Sequence, residues 1–215
     1  MRNMRKNALL WCSWCLAAGC AAPPAPVHLP LASAAEAAAW QFTDANAFRW
    51  ATADERGCLE LFAASKYQPP HRSPLALAVL REPVFGDFTL RVQCQQTGRE
   101  YPHRDLVVVF AYHDAAHFAY AHLASQGDAN AHHVMLVDGA DRRPVTTSRT
   151  AGVAWGEGWH DIEVRRKGTR IEVWFDAAGP VLVADVPVGA GRIGLGSFDD
   201  TGRFRALRID PAQPH

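Results

Sequence analysis

The chain has 215 residues, of which 48% are hydrophobic and 20% are charged. This fits one large globular domain or two small ones and excludes wholesale disorder. The formal net charge is zero, and without the first 19 residues, which hold three basic side chains and no acid, the acidic side chains outnumber the basic ones. A nucleic-acid surface needs a clustered basic excess, so no nucleic-acid partner is expected.

The first twenty residues have the order of a secretory leader. A basic segment, Met1 to Lys6, precedes an apolar run, Ala8 to Ala18, that is too short to span a bilayer. The run ends in Leu16-Ala17-Ala18-Gly19-Cys20, which resembles the lipobox of bacterial lipoproteins, although Ala17 stands where that pattern usually has Leu. The resemblance implies a signal peptide over residues 1–19, an acylated Cys20 and a lipid-anchored protein of the cell envelope, outside the cytoplasm. The alternatives are a plain signal peptide that is cleaved nearby without lipidation, and a leader that stays uncleaved as a membrane anchor.

The next stretch, residues 20–39, is rich in Ala and Pro. This composition predicts an extended tether that has at most a helical turn near its end. The folded domain is then expected over residues 40–211. It contains Cys58 and Cys94, which an exported compartment would allow to pair; two buried free thiols are the other interpretation.

From Trp40 onward, short apolar runs are separated by turn residues. This pattern is typical of an all-β protein that folds as a two-sheet antiparallel sandwich. Residues 106–112 are nearly all apolar, as expected of a central strand covered on both faces. In the last strand, alternation places Phe204 and Ala206 inward, and Leu207 is a further inward candidate. The predicted strands are 88–95, 106–112, 158–165, 169–175, 180–186, 191–198 and 204–209, among about a dozen in all, with no amphipathic helix.

Three groups of strand motifs resemble a known family. They are residues 85–92 (Phe-Gly-Asp-Phe-Thr-Leu-Arg-Val), residues 158–164 followed by 171–176, and residues 191–196 followed by 204–209. Together they resemble the concanavalin A-like lectin/glucanase jelly roll. Within that group they are most similar to the 3-keto-disaccharide hydrolase domain family, with laminin-G-like domains as a looser match. The resemblance implies a jelly roll that presents a sheet face to glycans.

One departure from this group concerns catalysis. Family 16 glycoside hydrolases of this fold use an acidic strand motif, Glu-x-Asp-x-x-Glu, which the sequence lacks. Asp161 and Glu163 alternate on one predicted strand but have no third acid beside them. Retaining hydrolysis needs two suitably placed carboxylates, so that chemistry is not expected here.

Six of the ten His lie between His103 and His133. In the predicted strand that begins at His117, Phe118, Tyr120 and His122 share one face. Aromatic rings with polar tips suit a sugar; the alternative is that Phe118 and Tyr120 are core and His122 is a satisfied polar group within it. Tyr120 and His122 are also the candidates for proton abstraction in catalysis. The candidate glycan-binding residues are Arg104, Asp105, Tyr112, His117, Tyr120, His122 and Trp159.

Other residues have two interpretations each. Arg104 would form a bidentate ion pair with a sugar carboxylate or, together with Asp105, anchor the start of a strand. Asp199 and Asp200 would ligate Ca²⁺ or only hydrogen-bond the backbone of a turn. Trp159 would be an exposed sugar platform or a packing residue. A Zn²⁺ site in the His cluster is a further alternative, but no His-Glu-x-x-His motif or Cys pair supports it. No cofactor is therefore expected apart from the Ca²⁺ alternative.

These patterns leave three functional hypotheses. The first is an exported lipoprotein whose jelly roll binds a glycan or polysaccharide at the cell envelope. The alternative is a glycoside-cleaving enzyme of the 3-keto-disaccharide hydrolase type. A structural envelope protein that binds another protein through a sheet face is the third, and it would need a large exposed apolar patch.

Overall fold

The computed structural model describes residues 24–212, which form two antiparallel β-sheets packed face to face. The expected all-β, two-sheet sandwich is confirmed. Sixteen strands lie in this range, with two short 3₁₀ helices, Ala34–Ala39 and Ala45–Ala47. The strands are Val27–Leu29 (β1), Trp40–Phe42 (β2), Phe48–Ala53 (β3), Arg56–Leu61 (β4), Ala76–Leu80 (β5), Phe88–Gln96 (β6), Asp105–Asp114 (β7), His117–Ala124 (β8), His133–Asp138 (β9), Arg143–Pro144 (β10), Thr146–Arg149 (β11), Trp159–Lys167 (β12), Arg170–Phe175 (β13), Ala178–Asp185 (β14), Arg192–Ser197 (β15) and Gly202–Pro211 (β16).

The two sheets differ in size. The nine-stranded sheet has the order β11-β14-β13-β12-β6-β16-β4-β3, and β1 pairs with β16 outside this path. The seven-stranded sheet has the order β10-β9-β8-β7-β15-β5-β2. The main core lies between them and contains the inward side chains of both, including Phe88, Phe110 and Phe204, all fully buried. Alternation along each strand thus separates a core face from an outer face.

The seven-stranded sheet is apolar on its outer face as well. A second buried cluster lies there: Leu77, Val79, Val107, Val109, Tyr112, Phe118, Tyr120, Met135 and Val137. The prediction that residues 106–112 form a strand covered on both faces is confirmed.

The outer face is covered by the connection between β4 and β5, residues 62–75. At its start, Phe62 N donates to Ala47 O, and near its end Leu75 N donates to Phe198 O. In between, it reaches the opposite edge of the sheet, because Arg72 N donates to Asp141 Oδ1 at 2.8 Å in the β9–β10 hairpin. The connection therefore crosses the outer face and returns.

The structure differs from the expected tether over residues 20–39. Val27–Leu29 pairs with β16, and Leu31 is fully buried. The Glu36 carboxylate accepts hydrogen bonds from the backbone N–H groups of Leu31 (2.9 Å) and Ala32 (2.7 Å), which fixes the local conformation of this segment. The expected helical turn is the 3₁₀ helix Ala34–Ala39. In the described range no helix has the length and apolar character needed to cross a membrane.

The two cysteines of the domain are free and buried. Cys94 belongs to the main core, whereas the side chain of Cys58 lies on the outer face of the nine-stranded sheet, near Glu60 and Arg203. Because the thiols are on opposite faces, the structure favours the free-thiol interpretation. The first 19 residues and Cys20 lie outside the described residues, so the structure does not address the leader or the lipid.

Candidate functional site

A cavity of about 210 Å³ opens at the end of the seven-stranded sheet where β7 begins and β15 ends. It is lined by Arg72, Tyr101, His103, Asp105, His122, Asn130, Ala131, Arg142, Phe198 and Asp199. Pockets for drug-sized ligands measure roughly 300–1,000 Å³, so this one has room for a smaller polar molecule.

The floor of the cavity is a buried His–Asp pair. His122 Nε2 lies 3.1 Å from Asp105 Oδ2, and both side chains are less than 5% exposed. Nε2 nevertheless has no hydrogen-bond partner among the described residues. His122 Nδ1 lies 3.2 Å from Asn130 O; when Nδ1 carries the proton it donates to that carbonyl. Nε2 then keeps a free lone pair beside the carboxylate.

Arg142 forms one wall of the cavity. Its Nη1 donates to the Tyr120 hydroxyl at 3.2 Å, and its guanidinium lies 4.3 Å from the centre of the Phe198 ring. Its backbone N–H donates to Arg72 O at 3.1 Å, so the connection over residues 62–75 positions Arg72 beside it. Stacking and hydrogen bonding hold the planar Arg142 cation in one orientation.

The opposite wall is acidic. Carboxylate oxygens of Asp105, Asp199 and Asp200 lie within 4.8 Å of one another. Asp200 Oδ2 accepts from Tyr101 OH (2.9 Å) and from Asp105 N (2.8 Å). Burial, and then the Asp105 charge, raises the pKa of Asp199; burial also raises the pKa of Asp200 to about 6. Three hard oxygen donors at this spacing could hold a divalent cation such as Ca²⁺.

No protein-family model matches the chain, and no curated protein matches it. Several solved structures are similar. The carbohydrate-binding module CBM66 from Bacillus subtilis is 14% identical, with a TM-score of 0.57 that covers 80% of this chain and 95% of that chain. A Bacillus licheniformis β-glucanase is 11% identical, with a TM-score of 0.54 and coverage of 88% and 99%. The exoplasmic/lumenal domain of VIP36 in its Ca²⁺/Man3GlcNAc-bound form is 12% identical, with a TM-score of 0.53 and coverage of 86% and 89%.

The domain is a concanavalin A-like jelly roll. This likeness confirms the fold that the strand motifs predicted, and at these identities it shows the fold alone. The finer resemblance to the 3-keto-disaccharide hydrolase family stays a prediction.

The jelly roll brings three of the seven predicted glycan-binding residues together, next to the predicted Ca²⁺ candidates Asp199 and Asp200. Asp105 and His122 line the cavity, and Tyr120 touches its wall through Arg142. The Tyr120 ring itself is fully buried, and burial raises the pKa of its hydroxyl to about 12. Its ring therefore offers no face to a ligand, as the core interpretation expected. Of the two catalytic candidates, only His122 lines the cavity.

The other four candidates lie outside the cavity. Arg104 is buried and donates to the backbone and side-chain oxygens of Gln96, which fits its interpretation as an anchor of the strand start. Tyr112 is buried beneath Arg192, and His117 is exposed and pairs with Asp114. Trp159 belongs to the other sheet, where its Nε1 donates to Asp54. These positions share no site with His122.

Seven cavity residues were not among the candidates from the sequence: Arg72, Tyr101, His103, Asn130, Ala131, Arg142 and Phe198. All seven lie in connections, outside the strands of the structure. Strand alternation carries no information about them, and the contact between residues 72 and 141 spans 69 positions of the chain. The only local signal was the richness of this region in His, Asp and Arg, which indicated the region without its members.

Proposed function

We propose that the protein is an exported lipoprotein whose jelly roll binds a glycan through the cavity at the end of the seven-stranded sheet. The observation that carries this proposal is the convergence of donors and acceptors around the buried Asp105 and His122. Asp105, Asp199 and Asn130 offer oxygens to hydroxyl groups, while Arg142 and Tyr101 offer hydrogens. A sugar hydroxyl both donates and accepts, so it satisfies such a mixed set better than a purely anionic or apolar ligand does.

The size of the cavity narrows the ligand further. A volume of about 210 Å³ suits one sugar ring, such as the end of a chain, rather than a long polysaccharide segment. Phe198 adds apolar surface to the cavity lining, with Arg142 on one face of its ring. The similarity of the fold to a carbohydrate-binding module and to a domain with bound Man3GlcNAc supports a saccharide as the ligand.

The test is a panel of neutral, acidic and 3-keto-oxidised glycans incubated with the mature protein. Both retained glycans and soluble products are read by mass spectrometry. We expect retention of one glycan class without a new product. No retention across the panel would contradict the proposal.

Cleavage is the second candidate function. It is supported by the raised pKa values of Asp199 and Asp200. With a pKa of about 6, the Asp200 carboxyl group is mostly protonated below pH 6 and can act there as a general acid. Asp200 is nevertheless held by Tyr101 OH and Asp105 N, which restricts its access to a substrate. New small sugars in the panel would establish an enzyme and replace binding as the function.

The third hypothesis, a structural protein, has less support. It requires a large exposed apolar patch, but among residues 24–212 the exposed large hydrophobic side chains are Phe62 (41% exposed) and Val84 (51%). Isolated residues of this kind are ordinary on a protein surface.

The lipid anchor has its own test. If Cys20 is acylated, the wild-type protein will sediment with membranes and its intact mass will include the acyl chains. The Cys20→Ser variant will lose the acyl mass and move to the soluble fraction. Equal membrane association of both proteins would contradict lipidation, and the unacylated variant also controls for association through the folded domain.

We further propose that Ca²⁺ binds the Asp105, Asp199 and Asp200 carboxylates. The buried His122 Nε2, which lacks a hydrogen-bond partner among the described residues, lies next to this cluster and supports a ligand there. A cation would also offset the burial of neighbouring negative charges. We expect millimolar CaCl₂ to raise the melting temperature of the wild type above its value in EDTA. Asp199→Asn should remove most of this difference, and exposed Asp114→Asn should not. No calcium-dependent shift in the wild type would contradict the site.

A further inference from the structure

The folded domain begins at one particular end of the nine-stranded sheet. In the register of β1 and β16, Val27 lies opposite Ile209, and the chain before Val27 leads toward Pro211. Pro211 pairs with Phe88, and Phe88 pairs with Arg166. The chain therefore enters the domain at the same end of the sheet as the hairpin that joins β12 to β13, with β16 and β6 between them.

A depression of about 420 Å³ at this end of the domain is lined by four basic side chains (Arg165, Arg166, Lys167 and Arg170) and two acidic ones (Asp87 and Glu172). Arg170 pairs with Glu172 at 2.8 Å, and Arg165 pairs with Glu163. Lys167 is exposed at the hairpin tip and has no ion-pair partner among the described residues. The depression thus carries a net positive charge.

The cavity lies at the opposite end of the sandwich. Strand β6 runs nine residues from Phe88 to Gln96, a length of roughly 30 Å. Gln96 Nε2 donates to Asp105 O at 2.9 Å, and Asp105 lines the cavity. The entering chain and the cavity are therefore separated by the full length of a strand.

The chain between Cys20 and β1 is short. Seven residues lead from Cys20 to Val27, and fully extended they reach at most about 25 Å. A lipid on Cys20 would keep the end that holds the depression close to the membrane surface. The negative surface of a membrane with anionic lipids attracts Lys and Arg at such distances.

We propose that the basic end, defined by Arg165, Lys167 and Arg170, docks on anionic lipid headgroups and that the cavity opens away from the membrane. This orientation rests on the proposed lipidation of Cys20. It would present the cavity to glycans in the surrounding space while the lipid and three cations hold the other end.

The experiment uses the mature acylated protein in vesicles of equal parts phosphatidylcholine and phosphatidylglycerol, with a fluorophore on a single introduced cysteine. Thr169→Cys places it at the hairpin and Glu100→Cys at the cavity end; both side chains are exposed, whereas Cys58 and Cys94 are buried. Headgroup spin-labelled lipid then quenches nearby fluorophores. We expect at least about twofold stronger quenching at residue 169 than at residue 100. Equal quenching, or stronger quenching at residue 100, would overturn the orientation.

A charge reversal tests the electrostatic part. Lys167→Glu should reduce quenching at residue 169 severalfold, and so should high salt or vesicles of phosphatidylcholine alone. The matched charge reversal Arg99→Glu, at the cavity end, should leave the quenching at residue 169 unchanged. Equal effects of the two reversals would overturn headgroup docking. Intact mass is measured first: an unacylated protein would refute the lipid anchor, whereas an acylated protein with no difference between the two probes would refute the orientation alone.

Discussion

His132 is the described residue in which burial changes protonation most clearly. Its side chain is fully buried, with Nε2 3.0 Å from Thr150 Oγ1 and Nδ1 without a hydrogen-bond partner among the described residues. Burial, and then the nearby Arg149 charge, lowers the pKa of His132 to about 4. In the unfolded chain the imidazole takes up its proton near pH 6.5. Between these values the unfolded state binds more protons, so stability falls as the pH falls from 6.5 toward 4.

This linkage gives a prediction at the residue scale. Between pH 7 and pH 5 the wild type should lose about 2 kcal/mol of unfolding free energy through this group, measured by urea denaturation. His132→Asn should show a smaller loss, and Asn tolerates the positive φ of 59° at this position. The exposed His113→Asn is the control and should keep the wild-type slope. An unchanged slope in His132→Asn would show that His132 is not the cause.

Ala206 marks where residue-level prediction failed. Alternation from Phe204 placed Ala206 inward, but Ala206 is exposed and Leu207 is buried. The backbone of Ala206 has φ 54°, and the β16–β6 register shifts between Arg205 and Arg208. One extra residue in a bulge moves the following side chains to the other face. The Ala206 N–H donates to Pro30 O, so a segment that the sequence indicated as tether takes part in the irregularity.

Element prediction was more reliable, because a strand with one buried face repeats every two residues. All seven predicted ranges overlap strands of the structure, from 88–95 in β6 to 204–209 in β16. Strand β1 was missed because three residues in an Ala/Pro-rich stretch show too little alternation. Its partner strand, β16, lies about 180 residues further along the chain, and the pair with the smallest separation in sequence is Leu29 with Leu207.

The packing of this segment gives a prediction at the element scale. Leu31 is fully buried, and Gly57 lets the Ala32 backbone approach so closely that a Cβ at residue 57 would lie 2.0 Å from Ala32 O. We expect Leu31→Ala to lower the unfolding free energy by about 2–5 kcal/mol because it leaves a cavity in the core. Val84→Ala, at an exposed position, should change it little. If chemical denaturation shows only a small change in unfolding free energy for Leu31→Ala, residues 27–39 do not contribute substantially to the stability of the domain.

At the scale of the whole molecule, the sequence indicated the sandwich and the region of the site but not the composition of the site. His122 was identified because alternation along its strand determines the face of each side chain, and Asp105 because it stands directly before a predicted apolar strand. Arg72 and Arg142 belong to two connections that meet across the sheet, and such long-range contacts leave no periodic signal. The same connection covers Tyr112 and Tyr120, which is why the aromatic face predicted for a sugar is buried.

The central claim is that the glycan binds in the cavity at one end of the jelly roll. Calorimetry on one pair of variants tests this claim most directly. Arg142 lines the cavity, whereas its neighbour Arg143 is exposed and outside it. With the glycan that the panel retains, isothermal titration should show that Arg142→Ala weakens binding by about 10- to 100-fold, as expected for a lost charge-assisted hydrogen bond. Arg143→Ala should bind like the wild type. Unchanged affinity in Arg142→Ala, or equal losses in both variants, would contradict the assignment of the cavity as the glycan site.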